Sequence, residues 1–176
     1  MSGHNKWSKI KHKKASSDAQ KSKIFSKYAK MIDVEAKKAG GDVNSPGLKA
    51  VIDSAKKDNM PNENIDRAIK KATDPNTAAM EEVVYEAYGP GGVAIIITAL
   101  TDNRNRTAAE IKHLLSKNGL SLAEPGAASW AFAKEEGEYM PNTTIDLSEE
   151  DEEKLEEIID SLNESEEIEE VFTNRS

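Results

Sequence analysis

The stretch Val83-Val84-Tyr85-Glu86-Ala87-Tyr88-Gly89-Pro90-Gly91-Gly92-Val93-Ala94-Ile95-Ile96-Ile97-Thr98-Ala99-Leu100 decides the fold. Both of its ends are rich in β-branched and aromatic residues, and the four residues between them are turn formers. It therefore reads as a β-hairpin, Val83 to Tyr88 and Val93 to Leu100, with a loop of about four residues. From Val93 to Ile97 the second run is apolar at every position rather than every other one, so it needs cover on both faces and belongs at the centre of a sheet. The loop Gly89, Pro90, Gly91, Gly92 is not a phosphate-binding loop, because an apolar strand follows it instead of a helix opening with Lys-Ser or Lys-Thr. What it offers as a site is a backbone turn with few side chains, able to approach RNA or protein closely.

Downstream, Thr107 with Glu110 three positions later reads as a capping box. The helix it opens turns Ile111, Leu114 and Leu115 inward and stops at Gly119. Ala127 to Ala133 alternates, with Ala128, Trp130 and Phe132 on one side, and predicts a strand; Tyr139 to Leu147 predicts another. Ser148 caps a helix carrying Leu155, Ile158, Ile159 and Leu162, and Ile168 to Thr173 closes as a last strand. From Val93 the order is β-α-β-β-α-β, the ferredoxin-like arrangement of an antiparallel sheet with two helices on one face, preceded here by one extra hairpin strand.

Upstream the period changes from two to between three and four. Ile24, Phe25, Tyr28, Ala29, Ile32 and Ala36 predict a helix from about Ser17 to Lys38, stopped by Gly40-Gly41. Ser45 and Pro46 open a second helix with Leu48, Val51, Ile52 and Ala55 inward. After Met60-Pro61, a third runs from Asn62 to Ala72 on Ile65, Ala68 and Ile69. The expected class is α+β: a basic arm plus three-helix bundle over 1–76, and an acidic ferredoxin-like domain over 77–176, joined through the polar stretch Thr73 to Ala79.

The chain has 176 residues, no cysteine and a net charge of −8. Without cysteine there is no disulfide framework, thiolate metal site or cysteine nucleophile, and a reducing, cytoplasmic setting is expected. No apolar run is long enough to span a bilayer, and the basic N-terminus has no apolar segment behind it, so neither a membrane partner nor a signal peptide is expected. The net charge conceals a segregation. Residues 1–74 carry seventeen Lys and Arg against nine acids, and residues 75–176 carry seven against twenty-three. A chain divided in this way presents a basic surface to a polyanion while its other half repels the same polyanion.

Two groups of residues are candidates for nucleic-acid binding. The first is the arm, with Lys6, Lys9, Lys11, Lys13 and Lys14 and no acid among residues 1–14, continued by Lys21, Lys23 and Lys27 on the first helix. Lysines on such a segment neutralise phosphates without demanding one geometry, and Trp7 can stack on unpaired bases. His4 and His12 are phosphate or base contacts rather than metal ligands, having no partner carboxylate at a ligand spacing. The alternative is that Trp7 and Ile10 tuck the arm onto the bundle and leave its lysines merely solvated. The second group is Arg104 and Arg106 beside the helix start, which with its free N–H groups could cradle a phosphate. Alternatively, both arginines pair with acids of their own domain. Catalysis has little to rest on: His113 is the one histidine outside the arm, and Asp102 with His113 makes no triad. No cofactor and no metal site are expected.

The segments Gly3 to Lys14, Tyr88 to Ala94 and Leu100 to Thr107, with Met60-Pro61, Arg67 to Lys70 and Val171 to Asn174, closely resemble the YebC family. That resemblance implies a helical N-terminal domain followed by α/β domains, a cytoplasmic bacterial protein and no catalytic activity. Its implied function is divided between DNA-binding transcriptional regulation and translation, the latter through ribosome binding and relief of stalling at proline-rich stretches. Mitochondrial members are translational activators for a cytochrome oxidase subunit. An arm of lysines with one tryptophan, and no helix-turn-helix signature, suits ribosomal RNA better than a DNA operator. The expected partners are therefore the ribosome, its RNA and a tRNA, with DNA as the alternative, and a monomer is expected. Family members usually carry an inserted third domain between the strand of Trp130 and Phe132 and the strand at Tyr139 to Leu147; here Lys134 to Glu138 joins the two directly.

Overall fold

The computed structural model describes residues 18–176, with side chains from 21 onward. It divides into two compact units, the chain passing from one to the other between Met80 and Glu81.

The first unit is helical: α1 (Asp18–Ala39), α2 (Pro46–Lys57) and α3 (Asn62–Thr73). Each presents the apolar stripe that its sequence spacing dictates, and Tyr28, Ile32, Leu48, Val51, Met60 and Ile65 form one core. Tyr28 is wholly buried, and its hydroxyl donates to the Asp58 carboxylate. Burial, and then the hydrogen bond to Asp58, push the phenol pKa far above its ordinary value, so the ring stays neutral. Gly41 ends α1 in the left-handed region, its N–H donating to the Ala36 carbonyl at 2.9 Å.

The second unit contains β1 (Glu81–Tyr88), β2 (Ala94–Thr101), α4 (Arg104–Lys117), β3 (Leu122–Ala123), β4 (Phe132–Glu135), β5 (Glu138–Pro141), α5 (Glu149–Asn163) and β6 (Ile168–Thr173). An antiparallel sheet runs in the order β3-β1-β2-β6. The all-apolar strand is central: β2 pairs on both sides and all eight of its residues are buried. One face of the sheet packs Val83, Ala87, Ile95 and Ile97 against Ile111 and Leu115 of α4 and Leu155, Ile158 and Leu162 of α5. The opposite face sets Ala94, Ile96 and Phe172 against Ala128, Ala131 and Phe132.

The α+β class and the antiparallel sheet agree with expectation, and three features differ. First, the hairpin strand β1 is an inner strand between β2 and β3, where a β-α-β-β-α-β unit with a strand merely added would place it outside. Second, the segments expected as sheet strands at Ala127 to Ala133 and Tyr139 to Leu147 stay out of this sheet. Their strand content is the separate hairpin β4-β5, closed by Glu136 and Gly137 at φ 50° and 87°, and an isolated parallel bridge from Ile145 to Arg175 just past β6. The cause lies in Glu86, only 7% exposed, whose carboxylate accepts N–H bonds from Gly126 (2.6 Å), Ala128 (2.9 Å) and Ser129 (2.6 Å). These bonds wind Ser129–Ala131 into a 3-10 turn, which leaves Trp130 58% exposed. Third, α4 starts at Arg104, capped by Asn103, whose side chain accepts from the Arg106 N–H at 3.1 Å. Thr107 is therefore a buried first-turn residue and not the cap.

Candidate nucleic-acid interface

The arm residues His4, Lys6, Trp7, Lys9, Lys11, His12, Lys13 and Lys14 lie outside the described residues. The basic positions of α1 ahead of its last turn separate into two sets. Lys23, Lys27 and Lys30 follow one another at four and three, which places them along one face of the helix. Lys21 lies off that line and opens onto a groove between α1 and α3. In the last turn of α1, Lys37 pairs with Asp33 at 2.8 Å and Lys38 with Glu35 at 3.2 Å, and on α2 Lys49 pairs with Asp53 at 3.6 Å.

The structure assigns Arg104 and Arg106 different surroundings. Arg106 donates through Nη2 to Asp102 at 2.7 Å and to Glu167 at 2.6 Å, and through Nε to Glu167 at 3.1 Å. The bonds to Asp102 and Glu167 raise its pKa, so it stays charged. The second oxygen of Glu167 accepts from the Thr107 hydroxyl at 2.6 Å, and the Glu167 carbonyl accepts from the Leu100 N–H at 3.0 Å. Arg106 thus ties the start of α4 to the turn before β6. Arg104 is more open, with one ion pair, to Glu81 at 3.7 Å, Tyr85 within its electrostatic reach and a side chain 68% exposed.

In the loop Gly89, Pro90, Gly91, Gly92, the glycine at 91 is occupied by the fold itself. With φ at +67°, a Cβ there would meet Leu147 Cδ2 at 2.7 Å and Asp151 Oδ2 at 3.1 Å. At Gly92 a Cβ would meet only Ile145, at 3.9 Å. His113 is exposed on α4. Among the described residues, no group of three or more His, Cys, Asp or Glu is placed to hold a metal ion, and no helix is long and apolar enough to cross a membrane.

Two carboxylates that organise the second unit, one of them beneath Arg106, carry no sequence signal. Glu86 and Glu167 read as ordinary acids until residues forty and sixty positions away are brought to them. Arg67 and Lys71 of α3 also line the groove opposite Lys21, and their spacing of four was the available sign.

A basic helical unit followed by an acidic α+β unit whose own sheet is centred on an all-apolar strand defines the class of protein. The chain belongs to the TACO1/YebC family: residues 5–75 match the TACO1/YebC protein N-terminal domain, and residues 80–137 match the TACO1/YebC second and third domain. The second match ends at the tip of the β4-β5 hairpin. A probable transcriptional regulatory protein of Halothermothrix orenii is 49% identical over 92% of this chain and 63% of its own length. One of Trichlorobacter lovleyi, bearing the same name, is 46% identical over 100% of this chain and 72% of its own length. A third, of Fervidobacterium nodosum, is 53% identical over 76% of this chain and 54% of its own. The chain thus spans less than two thirds of the length of the first and third of these relatives. The crystal structure of a conserved hypothetical protein from Aquifex aeolicus superposes with a TM-score of 0.81 at 31% identity, covering 95% of both chains.

Proposed function

We propose that this chain is a non-enzymatic, nucleic-acid-binding regulator of gene expression, acting as a cytoplasmic translation factor that holds ribosomal RNA and eases elongation stalled at proline-rich stretches. The observation that carries the reading is the charge segregation, in which seventeen of the twenty-four Lys and Arg fall in the first 74 residues. In this account the arm docks on RNA through its lysines and Trp7, the Lys23, Lys27 and Lys30 face extends the contact, and Arg104 touches a second phosphate on ribosomal RNA or a bound tRNA. Arg106 supports that contact from behind by fixing the first turn of α4. Such a factor works by positioning and without turnover, as a monomer with no cofactor.

A second reading, DNA-binding transcriptional control, is favoured by the name probable transcriptional regulatory protein that the relatives carry. Competition at matched salt separates the two. The translation reading expects structured ribosomal RNA to displace the protein from promoter duplex; tighter binding to one promoter than to random duplex or ribosomal RNA would establish the transcriptional reading instead.

A further inference from the structure

The groove between α1 and α3 has a volume of about 500 Å³, within the range of small-ligand sites. On α1 its wall is Lys21, Ser22, Phe25, Ser26 and Ala29, a stripe repeating at three and four. On α3 the facing stripe is Asn64, Arg67, Ala68 and Lys71, and Met60 closes the floor. The chemistry is layered. Phe25, Ala29, Met60 and Ala68, half-buried or buried, supply the apolar floor, Ser22, Ser26 and Asn64 add polar groups, and the exposed cations Lys21, Arg67 and Lys71 form the rim. None of the described lining residues is acidic. Lys21 and Lys71 have no ion-pair partner among the described residues, and Arg67 has only Glu63, at 3.8 Å and open to solvent on both sides.

We infer that this groove is a site for one unpaired nucleotide of a single-stranded nucleic acid, its base laid on the Phe25 floor and its flanking phosphates held at the rim by Lys21, Arg67 and Lys71. The inference rests on the nucleic-acid reading above and adds to it a defined place on the helical unit, separate from the arm. A duplex does not fit, because its bases are stacked away and a cleft of this volume takes up no more than a flipped-out unit. A purely apolar ligand would leave three cations idle. An unpaired nucleotide uses both layers, since every base has a π-face to stack and every linkage a phosphate to neutralise.

The test uses the full chain and a fluorescein-labelled single-stranded RNA hexamer, titrated across a salt series. One variant removes the rim (Lys21→Ala, Arg67→Ala and Lys71→Ala together), and a second, Ser22→Trp, fills the groove at an exposed position without changing the charge. Circular dichroism and a thermal melt check that both fold as the wild type does. The expected result is roughly tenfold weaker binding for each variant. The rim variant should also lose about two units of salt slope, near 0.7 for each phosphate contact of a single strand, while Ser22→Trp keeps the wild-type slope. A rim variant that weakens binding beside an unaffected Ser22→Trp would mean general surface charge and overturn the groove. Wild-type affinity in both variants would overturn the groove and leave the arm reading standing. Failure of the wild type to bind any RNA would overturn both.

Discussion

Glu86 shows how much one side chain can organise. Burial alone would raise its pKa, but the N–H donors of Gly126, Ala128 and Ser129 outweigh burial and hold the carboxyl below its ordinary value. The folded pKa is therefore the lower one. The stability it lends is present at neutral pH and is lost as the pH falls through the folded value. Glu86→Gln keeps one acceptor but turns an amide donor toward backbone N–H groups, and is expected to cost about 2 kcal/mol in urea denaturation at pH 7. The deficit against wild type should shrink as the pH is lowered. Gly91 makes a backbone case: its φ of +67° strains any L side chain, while a Cβ there presses only on the movable ends of Leu147 and Asp151, and Gly91→Ala is expected to cost roughly 1 kcal/mol by the same measurement.

The caps and ties of α4 and α5 set the stability of these elements and the exposure of the candidate contacts. Ser148 accepts from the Asp151 N–H at 3.2 Å, so Ser148→Ala should lower stability by about 1 kcal/mol with no effect on RNA affinity. The arginines of α4 are expected to diverge. Arg106→Ala strips Glu167 and Asp102 of their shared partner and should lower the melting temperature, whereas Arg104→Ala should leave the melt unchanged and weaken RNA binding. Equal behaviour of the two in melting and binding would contradict the division of roles. The same elements mark what a sequence can disclose. The run Val93 to Ile97 and the Ser148 cap are local patterns, and β2 and the start of α5 follow from them; β6 is legible as a short stretch with Ile168, Val171 and Phe172, but the burial of Glu170 within it is not. The start of α4 was harder to read, because Thr107 with Glu110 imitates a capping box while the cap is Asn103, whose partner three residues on is a backbone N–H and not a glutamate. The turn at Ser129–Ala131 depends on Glu86 more than forty residues away, which no local period encodes. In the groove, the stripe Asn64, Arg67 and Lys71 is plain in the sequence of α3, but its meaning needs the facing stripe of α1.

For the molecule as a whole, function is argued from the distribution of charge and not from its sum. A net −8 would suit a protein that avoids nucleic acid, yet the first 74 residues alone are strongly basic. The central claim is that the lysines of residues 1–14 make the main electrostatic grip. Its most direct test is the salt dependence of affinity for ribosomal RNA, comparing the full chain with a form lacking those residues. Five lysines, each neutralising one phosphate, should account for about three to four units of slope in log affinity against log salt. The account predicts that the shortened form loses roughly that much slope and binds at least a hundredfold more weakly at low salt. An unchanged slope and affinity would contradict it.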